Sequence, residues 1–234
     1  MVLKTLKEGI SEFLFPKVCV VCGLKLTTQE HFVCIQCLND KFEIAYSKGN
    51  YSSSEIILPE GVISQHALWN FDKGGYLQEL LHKLKYQRLT GIGEDIGRQL
   101  GKSLLNNSGF MEWVRKENSV LLPVPLHPQK RRMRGYNQAF YISKGVSEVI
   151  GMPILKKNVV KRIRNTGTQT GFSLEKRRKN MDGAFSVMEP DVLKDQIIII
   201  IDDVFTTGAT TFELSSELQK AGCGKIMIAT VAQA

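Results

Sequence analysis

The segment IIIIIDDVFTTGATT, residues 197–211, constrains this chain more than any other. Five consecutive isoleucines form an unbroken β-branched run, as in a strand buried on both faces of a parallel sheet. Two carboxylates, Asp202 and Asp203, follow at once, then a stretch of small and hydroxyl residues, then a helical pattern over residues 212–221 that stops at Gly222. In open α/β sheets the carboxyl ends of the strands face the ligand crevice. Thr206, Thr207, Gly208, Ala209 and Thr210 place N–H groups and hydroxyls where a helix begins, and the helix dipole there favours an anion. Gly208 lets the backbone approach that anion with no Cβ in the way. Asp202 and Asp203 cannot hold an anion, but they accept hydrogen bonds from the vicinal hydroxyls of a sugar. A plain strand, acidic turn and capped helix explains one Asp and one Thr, not the ordered set.

The remaining pattern is that of an α/β protein. Residues 77–86 and 92–105 have helical apolar spacing, residues 120–122 form a short strand ended by Pro123 and Pro125, and residues 137–150 form a helix stopped at Gly151. Residues 226–231 form another buried strand. Strands alternating with helices predict a parallel sheet flanked by helices, within a domain over residues 60–234. Residues 41–60 are largely polar and read as a linker, and Trp69, Phe71 and Tyr76 read as core. Residues 83–86, with Lys83, Lys85 and Tyr86, read first as the end of an amphipathic helix, with a contact to nucleic acid or phosphate as the rival reading. No apolar run is long enough to span a membrane, and the first residues lack the unbroken apolar stretch of a signal peptide, so the expected location is cytoplasmic.

Four of the five cysteines form two C-x-x-C pairs, Cys19 with Cys22 and Cys34 with Cys37, separated by eleven residues. Each pair makes a compact knuckle, and two knuckles complete a closed tetrahedral thiolate site, the pattern of structural zinc, in a module over residues 1–48 that opens with an N-terminal helix. Two disulfides are the rival reading, disfavoured in a reducing compartment. A redox C-x-x-C needs no second pair. His31 offers a substitute ligand that four thiolates make unnecessary, and Cys223 beside two glycines reads as packing.

Net charge is +8, and one stretch carries the excess: residues 127–180 hold 14 basic and 2 acidic side chains, against 17 and 21 elsewhere. Such a stretch implies an anionic partner, a polyphosphate or a nucleic acid, against the plainer reading of a solvated basic face, and its position must decide. Its first part is a basic loop over residues 129–135 with Lys130, Arg131, Arg132 and Arg134, whose ammonium and guanidinium groups engage phosphate oxygens. Its second part, from Arg162 and Arg164 through RNTGTQTGF to KRRKN, has the flexible and basic character of a loop that closes over a polyphosphate.

The apolar run, Asp-Asp pair and Thr-Thr-Gly-Ala-Thr resemble the phosphoribosyl pyrophosphate (PRPP) signature of type I phosphoribosyltransferases. That resemblance implies ribose contacts from Asp202 and Asp203, phosphate contacts from Thr206 to Thr210, and a magnesium ion accompanying PRPP. With the four-cysteine head, PVPLH…RRMRGYNQA and RNTGTQTGF…KRRKN, nearly the whole chain resembles the ComF family, associated with DNA uptake in natural competence. The implied fold is a type I phosphoribosyltransferase-like α/β domain with a small N-terminal zinc module. The implied partners are PRPP, single-stranded DNA and a competence helicase or other DNA-uptake proteins. No hood segment for an acceptor is identifiable, and no side chain stands out as a general base. Two functions follow: displacement of pyrophosphate at the anomeric carbon, or a non-catalytic nucleic-acid adaptor with a regulatory or vestigial PRPP site.

Overall fold

The computed structural model describes residues 16–28, 30–45, 57–114, 118–166 and 181–234. Its centre is a four-stranded, all-parallel sheet in the order β1 (Val62–Asn70), β6 (Ile226–Gln233), β5 (Ile197–Phe205) and β2 (Ser119–Pro123). Between the strands run α1 (Ile35–Asp40), before β1, then α2 (Tyr76–Tyr86), α3 (Thr90–Leu105) and α4 (Ser108–Val114), then α5 (Pro128–Arg134) and α6 (Gln138–Ile150), and last α7 (Ala209–Lys220). An antiparallel hairpin, β3 (Val160–Arg162) with β4 (Phe185–Val187), stands beside the sheet.

The isoleucine run is divided by the pleat. Successive side chains on a strand point to opposite faces. Ile197, Ile199 and Ile201 pack with α2, α3 and α6, whereas Ile198 and Ile200 pack with α7 and the hairpin. This alternation continues into the carboxylates. On the first face α3 and α6 cross closely, because a Cβ at Gly97 would stand 2.2 Å from the Ile142 carbonyl oxygen and one at Gly145 2.1 Å from that of Glu94.

Several boundaries differ from the sequence reading, each for a local reason. Residues 129–135 are not a loop: Pro128 starts α5, His127 Nδ1 accepts from the Gln129 N–H at 3.3 Å, and Gly135 closes the turn at φ 88°. Helix α7 begins at Ala209, so Ala209 and Thr210 lie in its first turn. Strand β5 runs on through Asp202 and Asp203 to Phe205. Strand β1 was hidden because Ser64, Gln65 and His66 interrupt its apolar run. The linker reading fails at its start, where Ile44 bridges Trp69 on the edge of β1 and Phe42 and Ala45 are buried; residues 46–56 lie outside the described residues, as do residues 1–15, the expected N-terminal helix. Trp69 is core, Phe71 is partly buried against it, and Tyr76 is exposed beneath the Lys41 ammonium. Cys223 is buried packing.

Candidate functional site

The cysteine module is built by its own backbone. The Val21 and Cys34 N–H groups point at Cys19 Sγ (3.4 and 3.3 Å), and that of Cys37 points at Cys34 Sγ (3.4 Å), Cys34 being the N-cap of α1. The four Sγ atoms of Cys19, Cys22, Cys34 and Cys37 lie within 4.8 Å of one another, and all four thiols are free. Burial pushes the Cys19 thiol up, but the N–H groups of Cys34, Cys22 and Val21 bring it down to about 7, whereas burial pushes Cys37 up. This donor set fits a tetrahedral structural zinc ion. His31 is not part of it, since its Nδ1 lies 3.5 Å from Asp95 on α3 and 3.2 Å from Arg98.

The module is fastened to the α/β body through buried polar groups. Asp95 Oδ2 accepts from the N–H groups of Phe32 (2.8 Å) and Val33 (3.1 Å), and its other oxygen holds Arg98. Lys83 Nζ donates to the Val20 carbonyl at 2.7 Å. Val33, Cys34, Cys37 and Phe42 share one continuous core with Trp69, α2 and α3.

The second site lies at the carboxyl ends of β5 and β2. Asp203, on the α3/α6 face, is 6% exposed; its Oδ1 accepts from Gln138 Nε2 at 3.1 Å and its Oδ2 pairs with Lys85 Nζ at the end of α2. Burial raises the Asp203 carboxyl, but the Lys85 charge and hydrogen bond overcome this and hold it well below the usual range. Asp202, on the opposite face, keeps part of its surface open and is raised, first by burial and then by the Asp203 charge. Arg162, in β3, feels the Asp202 charge. Its guanidinium lies 5.4 Å from the Phe185 ring centroid, contacts Thr166 Oγ1 and reaches Met181 Sδ at 3.3 Å.

The other expected residues differ in exposure and in partners. Lys130 Nζ donates to the Thr166 carbonyl at 2.9 Å, and burial followed by the charges of Arg162 and Arg134 lowers its pKa. Arg134 donates to Gln138 Oε1. Arg131 and Arg132 point to solvent, and Arg164, also exposed, donates to the Asp182 carbonyl. Thr206 is exposed, Thr207 and Thr210 half-buried, and Thr207 Oγ1 accepts from the Ala209 N–H at 3.4 Å. Gly208 takes φ 73°, and a Cβ there would meet the Phe212 ring at 2.6 Å, so its glycine is required by the left-handed turn and that ring. Residues 167–180, most of the proposed closing loop, lie outside the described residues. A cavity of about 630 Å³ beside Val120, Ile154 and Gln196 opens at the other end of the strands, away from these groups. Sequence reasoning missed Lys85 and Gln138. Lys85 looked like an ordinary helix end, and only the approach of α2 to β5 makes it a partner of Asp203.

No protein-family model matches the chain. Competence protein F of Haemophilus influenzae is 33% identical over 159 residues, 68% of each chain. DNA utilization protein YhgH of Escherichia coli K12 is 28% identical over 157 residues, 65% of each, and competence protein ComFC of Bacillus subtilis is 26% identical over 107 residues, 44% of this chain and 40% of that one. A glutamine phosphoribosylpyrophosphate amidotransferase structure from B. subtilis superposes with a TM-score of 0.39 at 18% identity, covering 59% of this chain and 26% of that one, too weakly to carry an argument. The identity to competence protein F, sustained over two thirds of both chains, shows that this chain belongs to the ComF family.

Proposed function

We propose that the crevice formed by Asp202, Asp203 and residues 206–210 binds phosphoribosyl pyrophosphate with magnesium, and that the protein acts in DNA uptake in the cytoplasm by handling incoming single-stranded DNA. The observation that carries the reading is convergence. Lys130 from α5 and Arg162 from β3 meet at Thr166, Arg134 reaches Gln138, Arg162 feels the charge of the partly open Asp202, and α7 begins just beyond that strand end. Asp202 is the group placed to accept ribose hydroxyls, Thr206, Thr207 and Thr210 with the α7 N-terminus offer donors to its phosphate, and the basic groups suit pyrophosphate. Magnesium enters with the diphosphate, as hard oxygen ligands favour. Zinc in the cysteine module supplies folding energy to its surroundings. The names of the relatives, competence protein and DNA utilization protein, support the biological role, and a competence helicase or another DNA-uptake protein is the partner such a role requires. Titration calorimetry with PRPP is expected to show saturable binding that strengthens with magnesium and is competed by ribose 5-phosphate; binding equal to that of free pyrophosphate would sink the sugar assignment.

One observation favours a second reading, a non-catalytic nucleic-acid adaptor. The Asp203 carboxylate is already engaged by Lys85 and Gln138. A ligand that needed both carboxylates would first have to displace an ammonium group. The adaptor reading expects PRPP to bind without release of pyrophosphate in the presence of any nucleobase or amine, and a pyrophosphate-release assay separates the two.

A further inference from the structure

Helix α2 ends in an aromatic group that the core does not use. Tyr86 is 64% exposed, and one turn before it His82, also exposed, places its ring 4.7 Å away at an interplanar angle of 43°. The Arg134 guanidinium stands 5.5 Å from the Tyr86 ring centroid. The arrangement is fixed from beneath, because the Tyr136 hydroxyl donates to the Leu84 carbonyl and ties the end of α2 to the α5–α6 turn. It is also joined to the crevice: Arg134 donates to Gln138, Gln138 to Asp203, and Asp203 pairs with Lys85, the residue before Tyr86.

The surroundings are cationic. Arg88 sits in the left-handed region at φ 59°, and its Nε comes within 3.9 Å of where a Cβ at Gly135 would stand. Helix α5, which carries Arg134, also carries Lys130, Arg131 and Arg132, and Met133 on it is 79% exposed. An exposed tyrosine with an i,i+4 neighbour is common by itself. An exposed ring flanked by a guanidinium, next to a helix rich in basic residues, matches what single strands require: a face for a base and charges for the backbone.

We propose that Tyr86, with His82 and Arg134 around it, is a stacking platform for one base of a single-stranded nucleic acid whose phosphates lie on Arg88 and helix α5. This rests on the single-stranded DNA part of the function above and adds the place where a base is held. The basic side chains of Arg88 and α5 favour a strand over a free base, since a free base needs none of them.

The test uses the full, zinc-loaded chain, a fluorescein-labelled oligothymidine, and a labelled abasic oligonucleotide of equal length. Tyr86→Ala is expected to weaken oligothymidine binding about tenfold, within the range of one base stacked on an aromatic, and to leave abasic binding and its salt slope unchanged. Tyr86→Trp is expected to retain affinity and to gain an emission component quenched by oligothymidine but not by the abasic strand. Equal weakening on both strands, or on neither, overturns the platform while the strand-binding reading survives. Quenching by free adenine or thymine, appearing only with PRPP present, also overturns it and assigns the ring to an acceptor base. A wild-type chain that binds neither strand at low salt overturns the nucleic-acid reading itself.

Discussion

The cysteine module and the crevice are both built on short motifs, yet they were unequally readable. The module draws its four sulfurs from 19 consecutive residues, and the backbone turns that bring them together lie within the same stretch. The crevice places its motif on one strand but completes it from elsewhere: Gln138 lies 65 positions from Asp203, and Lys85 comes from an element before β2. A closed local ligand set is visible as spacing. A site assembled by tertiary packing shows only its anchoring half.

The largest effect that sharpens this comparison is removal of the metal. Structural zinc contributes on the order of 10 kcal/mol to the folding of small modules. The module here is not independent, since it shares a core with α2 and α3 and hangs on Asp95 and Lys83. Cys34→Ser with Cys37→Ser, or chelation, is therefore expected to lower the melting temperature of the whole chain by roughly 10 °C or more, not only that of the module. Scanning calorimetry, with near-ultraviolet circular dichroism reporting the buried Trp69, checks it. A body that melts unchanged would show the two regions to be energetically separate.

The next effect lies in the crevice. Removing one partner of a buried ion pair costs about 3–5 kcal/mol, so Lys85→Met is expected to destabilise the chain by that amount near neutral pH. The pH dependence identifies the cause. With Lys85 present, Asp203 titrates below its unfolded value of 3.8, so its contribution is present above pH 3.8 and fades as pH falls through the lowered folded pKa. Without Lys85, burial leaves Asp203 raised, and its cost is relieved as pH falls. The gap between wild type and variant should thus narrow on acidification in urea titrations at a series of pH values. A gap independent of pH would mean that Lys85 acts by packing alone.

These pairings also show where sequence reading stops. The alternation of β5 was readable as far as Ile201, and carrying it two residues further separates Asp202 from Asp203 by face. Ending the strand at Ile201 concealed that. The same local view made α5 a loop, although Pro128 and Gly135 mark a helix start and stop. It also overlooked that the left-handed turn at Gly208 and the nearby Phe212 ring require a glycine there whatever the loop binds. Which helix end approaches which carboxylate depends on the α3–α6 crossing and on the Tyr136 hydrogen bond, and neither leaves a periodic trace.

A smaller effect tests the joint between the two regions. Asp95→Asn keeps one carbonyl acceptor for the Phe32 and Val33 N–H groups but loses the charge that holds Arg98. A charged hydrogen-bond partner is worth about 1.5–3 kcal/mol, so a loss of about 2 kcal/mol is expected, with faster release of zinc to a chromogenic chelator. Unchanged release would mean that the module holds its metal without help from α3.

The smallest effect on stability belongs to Asp202, and its sign is opposite to that of its neighbour. Its folded pKa is raised above the unfolded 3.8, chiefly by burial and then by the charge of Asp203. An ionised Asp202 therefore opposes folding, by an amount that grows as pH rises from 3.8 to the raised value and is constant beyond it. Asp202→Asn removes that opposition, so the variant is expected to be as stable as the wild type or more stable by about 1 kcal/mol near neutral pH, within the ordinary range for single substitutions. The same variant loses the open, charged acceptor assigned to the ribose hydroxyls, and PRPP affinity is expected to fall by about 1.5–3 kcal/mol. Asp203→Asn strands the Lys85 ammonium and should lose stability as well as affinity. Paired melts and calorimetric titrations of the two variants thus separate a carboxylate kept for a ligand from one kept for the fold. If both variants lost stability alike and bound PRPP alike, the division of the two faces by the pleat would have no functional meaning.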